Sequence, residues 1–246
     1  LVSNGDLMEG VSHEAASLAG HLKLGKLIYF YDDNLITIDG STDLAFTENR
    51  IGRFEAYGWH VQQVDDCNNF EVLEKSIRAA QEKRDQPSII AARTHIGYGS
   101  PNKQDTASAH GEPLGAEEIR LTKKNLGWPL EPEFFIPDEA LNHFRRALER
   151  GKQQEIEWQV RFKSYKNSFP ELARDWTQCI NSELLEGWDK DIPSFPADEK
   201  GLATRVASGT VLNAIAPNLP NLIGGSADLA PSNKTLLKGE ENFQGG

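Results

Sequence analysis

The feature that most constrains the fold is a short, almost uninterrupted apolar run, Lys26 to Tyr31 (Lys-Leu-Ile-Tyr-Phe-Tyr), set between stretches of helical periodicity. A strand with one face in water alternates apolar and polar residues, whereas a run apolar at nearly every position suits a strand covered on both faces, as in a parallel sheet. The flanking segments agree. Leu1-Val2 ends a strand, Ser3-Asn4-Gly5-Asp6 turns into a helix with Ala15, Leu18, Ala19 and Leu22 on one face, and Gly25 closes that helix.

The alternation continues with a helix near Asn49 to Tyr57, a strand Trp59 to Val64, a helix Phe70 to Glu82 and a strand Ser88 to Arg93. Strands alternating with helices predict an α/β fold with a doubly wound, mostly parallel sheet. Right-handed crossovers bring the loops after successive strands to one edge of such a sheet, where ligands bind. Chemistry is therefore expected around Asn4, around Asn34 and beyond Thr94.

From Ala116 the texture becomes charged and Leu-punctuated, with helices predicted over Ala116 to Leu126, Asp138 to Phe169 and Glu171 to Leu185, separated by Pro-containing breaks such as Trp128-Pro129 and Ile136-Pro137. After Pro193 and Pro196, a helix near Ala203 to Ala216 and a strand Asn221 to Gly225 would open a second α/β domain. The expected division is 1–115, the later part of a sheet domain; 116–197, a helical connector; and 198–246, the start of another domain. Leu1 in place of Met, and a last stretch Phe243 to Gly246 without a closing element, read as cuts in a longer, truncated fold.

With 26 basic against 37 acidic residues the formal charge is -11 and no basic cluster stands out, which argues against nucleic acid and anionic membranes as partners. No apolar run approaches the ~20 residues of a membrane span. Cys67 and Cys179 lack metal-type spacing and fit a reducing compartment.

Three constellations carry candidate chemistry. The first is Ser3-Asn4-Gly5-Asp6-Leu7-Met8-Glu9-Gly10 followed, one helix and one strand later, by Asp32-Asp33-Asn34-Leu35-Ile36. A diphosphate bridged by Mg²⁺ needs a close backbone approach and hard oxygen ligands from neighbouring strand ends. Gly5 permits the approach, and the Asn34 amide oxygen with the Ile36 carbonyl can complete a metal shell. Taken singly, a Gly turn or an Asn after a strand is usually structural; the spacing of the pair is what is specific. The second is Thr94-His95-Ile96-Gly97-Tyr98-Gly99-Ser100 with Ser108-Ala109-His110-Gly111-Glu112-Pro113-Leu114, a glycine-containing strand-end loop. The third is Ala203-Thr204-Arg205 with Ile223 to Asn233.

The first constellation resembles the motif of thiamine-diphosphate enzymes, Gly-Asp-Gly with a later Asn. Within that group the chain is similar to the transketolase family through Glu9-Gly10-Val11-Ser12-His13-Glu14-Ala15-Ala16-Ser17-Leu18-Ala19-Gly20-His21 and Tyr31-Asp32-Asp33-Asn34-Leu35-Ile36-Thr37-Ile38-Asp39-Gly40. The resemblance covers nearly the whole chain and is weakest over about 120–195. It implies thiamine diphosphate and Mg²⁺ (or Ca²⁺) as cofactors, sugar phosphates as substrates, a homodimer, and a cytoplasmic or plastid setting. The activity it implies is transfer of a two-carbon ketol unit from a phosphoketose to an aldose phosphate.

Residue by residue, the resemblance implies metal ligation by positions 4, 34 and 36, with Asn4 standing where the family has aspartate and Ser3 where it has its first glycine. Gly5 and Asn34 then border the cofactor. His110, the His of His-Gly-x-Pro-Leu, reaches cofactor and donor sugar as the catalytic histidine; Ile38 and Ile96 pack at the cofactor ring, although plain core packing would account for them equally. Asp228 faces the cofactor from the partner subunit, Arg205 and Ser232 bind the sugar phosphate, and Glu9 is a dimer-interface carboxylate that also suits a helix start. The family's activating glutamate belongs to an Arg-Glu-His segment that does not occur in these 246 residues. Dihydroxyacetone synthase or another thiamine-diphosphate transferase, and a non-catalytic relative that has lost the cofactor, are the alternatives.

Overall fold

Four parallel strands organise the first half of the chain: β1 (Val2–Ser3), β2 (Ile28–Asp33), β3 (His60–Val64) and β4 (Ser88–Arg93), in the spatial order β1-β2-β4-β3. In this computed structural model, which describes residues 1–245, Val2 lies opposite Tyr31, Ile28 opposite Ser88 and His60 opposite Ser88. The helices between strands are α1 (Asn4–Met8), α2 (Gly10–His21), α3 (Arg50–Ala56) and α4 (Phe70–Glu82).

Side chains alternate across a strand, so each face of the sheet gathers its own core. On one face Tyr29, Tyr31, Val61, Ile89 and Ala91 meet Leu7 of α1, Ala16 and Ala19 of α2 and Phe54 of α3. On the other, Ile28, Phe30, Val64, Ile90 and Ala92 meet Ala80 of α4. Helices thus cover both faces of a parallel sheet, as the alternation predicts.

The continuous burial expected of Lys26 to Tyr31 belongs instead to β4, whose residues 88–92 are all buried between β2 and β3. In β2 only Tyr31 is buried, because α4 packs over β3 and β4 and leaves Ile28 and Phe30 partly exposed. An aromatic cluster fastens the first face: Trp59 lies 4.8 Å from Tyr29 and 5.1 Å, edge-on, from Phe54, and its indole N–H donates to the Ala16 carbonyl at 2.8 Å.

The chain divides into two compact units, Leu1–Phe135 with the last residues from Phe243, and residues 136–242. The first also holds α5 (Ala116–Asn125). The second contains α6 (Asp138–Ser168), α7 (Pro170–Ile180), α8 (Thr204–Ile215) and α9 (Ala230–Asn233). Pro170 opens α7, where its missing N–H costs nothing, and Ala173 is buried as α6 and α7 pack through Trp158, Phe162 and Trp176. The strand expected at Asn221 to Gly225 does not form: a parallel strand needs a hydrogen-bonded neighbour, and among the described residues the second unit contains no strand to supply one.

Gly20 lies where α2 passes the end of α3, and a Cβ there would fall 1.8 Å from the Tyr57 carbonyl oxygen. Elsewhere in a helix Gly→Ala gains roughly 0.5–1 kcal/mol. Here the clash should dominate, and Gly20→Ala is expected to lower stability by about 1–3 kcal/mol. Urea unfolding of the full-length protein measures this; a raised midpoint would mean that α2 can move off Tyr57 at little cost.

Candidate functional site

The carboxyl ends of β1, β2 and β4 reach the same edge of the sheet, and the residues after them meet there. Ser3 caps α1: its hydroxyl accepts from the Asp6 N–H at 3.3 Å, while the Asp6 carboxylate accepts from the Ser3 N–H at 2.8 Å and from the Ser3 hydroxyl at 2.9 Å. These bonds, the backbone one foremost, hold the Asp6 carboxyl below the usual aspartate range. Asp6 is committed to the cap. Gly5 beside it is exposed, and a Cβ there would meet only the Ser3 Oγ, 3.8 Å away, so the space above the turn is open.

Asn4 points the other way and is 1% exposed. Its Nδ2 donates to Asn34 Oδ1 at 3.1 Å and to the Ile36 carbonyl at 3.3 Å, while its Oδ1 accepts from the Tyr31 hydroxyl. Asn34 is itself oriented by two bonds: Oδ1 accepts from the Ile36 N–H at 2.9 Å, and Nδ2 donates to Asp32 at 3.4 Å. Leu35, between them, takes a left-handed backbone (φ 62°) that turns the Ile36 carbonyl towards Asn4. Positions 4, 34 and 36 are thus brought together. With no cation present, reversing the Asn4 amide would set its Oδ1 against the Asn34 and Ile36 oxygens with no donor between them, at about 1–3 kcal/mol for each unsatisfied group.

Sequence reasoning missed the residues behind this cluster. The Tyr31 phenol also lies 3.1 Å from Asp33 Oδ1, and Asp33 receives Arg50 at 3.3 Å on each oxygen. Burial first, then the Asp33 charge, pushes the Tyr31 pKa up, so the phenol keeps its proton. Thr94 donates to Asp32, and Arg93 donates to the Asp33 carbonyl at 2.8 Å. The available signal was a tyrosine at the end of an apolar run with an acid two residues on: a buried hydroxyl needs a partner, and position i+2 shares its face.

In the second loop Gly97 (φ 63°) and Gly99 (φ 84°) supply left-handed turns that a side chain would strain. Ile96 is partly buried, His110 is exposed at the end of a 3-10 turn, and Ile38 is 70% exposed, so core packing does not account for Ile38. His95 pairs with Asp105 at 2.8 Å, and Glu9 is exposed between α1 and α2. Glu118 of α5 anchors this loop from beneath, accepting from the Ser100 hydroxyl and from the backbone and side-chain N–H of Asn102, both at 2.9 Å. In the second unit Arg205 lies exposed in the first turn of α8, Ser232 exposed in α9, and Asp228 exposed with a left-handed φ of 58°.

Among the described residues no group of three or more His, Cys, Asp or Glu is placed to hold a metal ion. A hard cation at the strand ends would therefore meet the neutral Asn34 amide and Ile36 carbonyl oxygens, would meet the Asn4 oxygen only with that amide reversed, and would need its negative charge from a ligand above Gly5. The donor set and the open turn fit a metal-bridged diphosphate.

The family model described as "Transketolase, thiamine diphosphate binding domain" matches residues 1–185. A transketolase of Nostoc sp. is 51% identical over 247 residues, covering 100% of this chain and 37% of its own length. A chloroplastic transketolase of Arabidopsis thaliana is 47% identical over 245 residues, covering 99% of this chain and 33% of its own. A crystal structure of Pichia stipitis transketolase in complex with sedoheptulose 7-phosphate superposes with a TM-score of 0.89 at 42% identity, over 99% of this chain and 36% of that one. The chain thus spans about a third of the length of these relatives.

The bonds from the Asn102 side chain, the Ser100 hydroxyl and the Asn102 backbone hold the Glu118 carboxyl below its ordinary range. A lowered carboxyl pKa adds stability in full above the unfolded value of about 4.3, and that stability is lost as pH falls through the folded value. Glu118→Gln should therefore speed hydrogen exchange of the loop amides at neutral pH, with the difference from wild type shrinking below about pH 4. An equal difference at every pH would show that the charge contributes nothing.

Proposed function

The chain belongs to the transketolase family, its residues 1–185 matching the thiamine diphosphate-binding domain, and from that premise we propose that the full-length protein is a transketolase. It moves a two-carbon ketol unit from a phosphoketose such as xylulose 5-phosphate to an aldose phosphate, with thiamine diphosphate and Mg²⁺ bound. The observation that supports this most is the convergence of Asn4, Asn34 and Ile36 beside the open turn at Gly5. Those three residues would hold the cation, and Gly5 leaves room for the diphosphate. When bound, thiamine diphosphate supplies the nucleophilic carbon and the electron sink.

The remaining roles follow as parts of the same proposal. His110, exposed and without a side-chain partner among the described residues, is free to hold or move a proton at a sugar oxygen. Ile38 and Ile96 exclude water at the cofactor ring. Arg205 and Ser232 bind the substrate phosphate through a planar guanidinium and a hydroxyl. Asp228 faces the cofactor and Glu9 lies at the interface in a homodimer. The setting proposed is the cytoplasm or a plastid; chloroplastic relatives exist, and no described helix is long and apolar enough to cross a membrane. Dihydroxyacetone synthase and a non-catalytic relative are not favoured, the matched relatives being named transketolase.

Titration calorimetry with thiamine diphosphate in Mg²⁺ buffer, and a coupled ketol-transfer assay, test the proposal on the full-length protein. Binding and turnover are expected, and His110→Ala should lower kcat about 10²–10⁴-fold with cofactor affinity less affected. No transfer from any phosphoketose at saturating cofactor would overturn it.

A further inference from the structure

At the strand ends a donor occupies the point where two acceptors converge. The Asn4 NH₂ group lies 3.1 Å from Asn34 Oδ1 and 3.3 Å from the Ile36 carbonyl, in a position 1% exposed. Neither acceptor can give up its direction: Asn34 is fixed by the Ile36 N–H and by Asp32, and the Ile36 carbonyl by the left-handed turn at Leu35. Two lone-pair groups aimed at one buried point need either a donor or a cation between them. The amide NH₂ serves as that donor.

We propose that Asn4 is the site's own stand-in for the cation: without metal its NH₂ holds the Asn34 and Ile36 oxygens together, and cation binding requires the amide to turn over and present Oδ1. This rests on the cofactor reading above and deepens it. Tyr31 allows both orientations. Its single proton now goes to Asn4 Oδ1, but its oxygen also lies 3.1 Å from Asp33 Oδ1. After the amide turns, the phenol can donate to Asp33 and accept from Asn4 Nδ2, and the cation would take the place of the NH₂ group at the Asn34 and Ile36 oxygens, so no buried polar group loses its partner. Arg50, bonded to both Asp33 oxygens, keeps that carboxylate in place for the exchange. Cation affinity is then set by a competition inside the protein, and the cation-free site is closed and stable.

Asn4→Asp removes the internal donor. A carboxylate has no N–H to offer, so in the absence of metal it would face two acceptors, and a cation would relieve all three. The test uses the full-length protein, wild type and Asn4→Asp, with thermal unfolding in EDTA and in Mn²⁺, and Mn²⁺ binding followed by electron paramagnetic resonance. Wild type is expected to unfold at the same temperature in EDTA and in Mn²⁺ alone. Asn4→Asp should unfold lower in EDTA, recover with Mn²⁺, and bind Mn²⁺ alone about tenfold or more tightly than wild type. If the variant does not fold without metal, its refolding yield should rise with Mn²⁺. Equal stability of the two proteins in EDTA, equal Mn²⁺ affinities, or a variant that Mn²⁺ does not rescue would each overturn the proposal. Should neither protein take up thiamine diphosphate with Mn²⁺ while the cation effects appear as described, the cofactor reading fails and the role of Asn4 stands.

Discussion

The first unit depends on a buried hydrogen bond between two amides, from Asn4 Nδ2 to Asn34 Oδ1, that ties the end of β1 to the end of β2. β1 is only two residues long and pairs with β2 through Val2 and Ser3, so the sheet alone fixes its direction weakly. The side-chain bond, with the Ile36 carbonyl and the Tyr31 hydroxyl as further partners, sets where α1 starts and how the loop after β2 returns. Buried polar clusters of this kind specify geometry because every member must be satisfied at once. Here the specified geometry is a set of oxygens around one point.

The layers outside that cluster divide the work. Asp33 and Arg50 form a partly buried pair that holds the Tyr31 phenol, while Asp32 and Thr94 hold Asn34 from the side of β4. The hydrophobic core beneath, with Leu7, Tyr31 and Phe54 all nearly inaccessible, makes α1 and β2 one packed body, so a shift in either would move the oxygens. The second loop has a separate anchor in Glu118. The amide cluster and the loop can therefore be perturbed independently.

Much of this was legible in the sequence. Helix Phe70–Glu82 and strand Ser88–Arg93 match their predicted bounds because periodicity and turn residues agree there. The pairing of Asn4 with Asn34 followed from spacing, since one helix and one strand return the chain to the neighbouring strand end. What escaped was whatever depends on partners far along the chain. Tyr31 reads as core because its ring is core, and nothing local shows that its hydroxyl lies between Asn4 and Asp33. Arg50 falls at the start of the helix read near Asn49 to Tyr57, and nothing in the sequence gives it a partner until the fold places Asp33 beside it. β2 looked covered on both faces because composition records apolarity and not which helix arrives to cover it. Residues 221–225 looked like a strand for the same reason, as strand propensity becomes a strand only beside a partner.

The oxygens of Asn4, Asn34 and Ile36 are proposed here as the cation site of a thiamine-diphosphate enzyme. The most direct measurement is a crystal structure of the full-length protein grown with thiamine diphosphate and Mn²⁺, read at the manganese absorption edge. One anomalous peak per site is expected, coordinated by Asn4 Oδ1, Asn34 Oδ1, the Ile36 carbonyl and the diphosphate, with Asn4 Nδ2 turned to Tyr31. A peak bound elsewhere, or a diphosphate held away from the ends of β1 and β2, would contradict it.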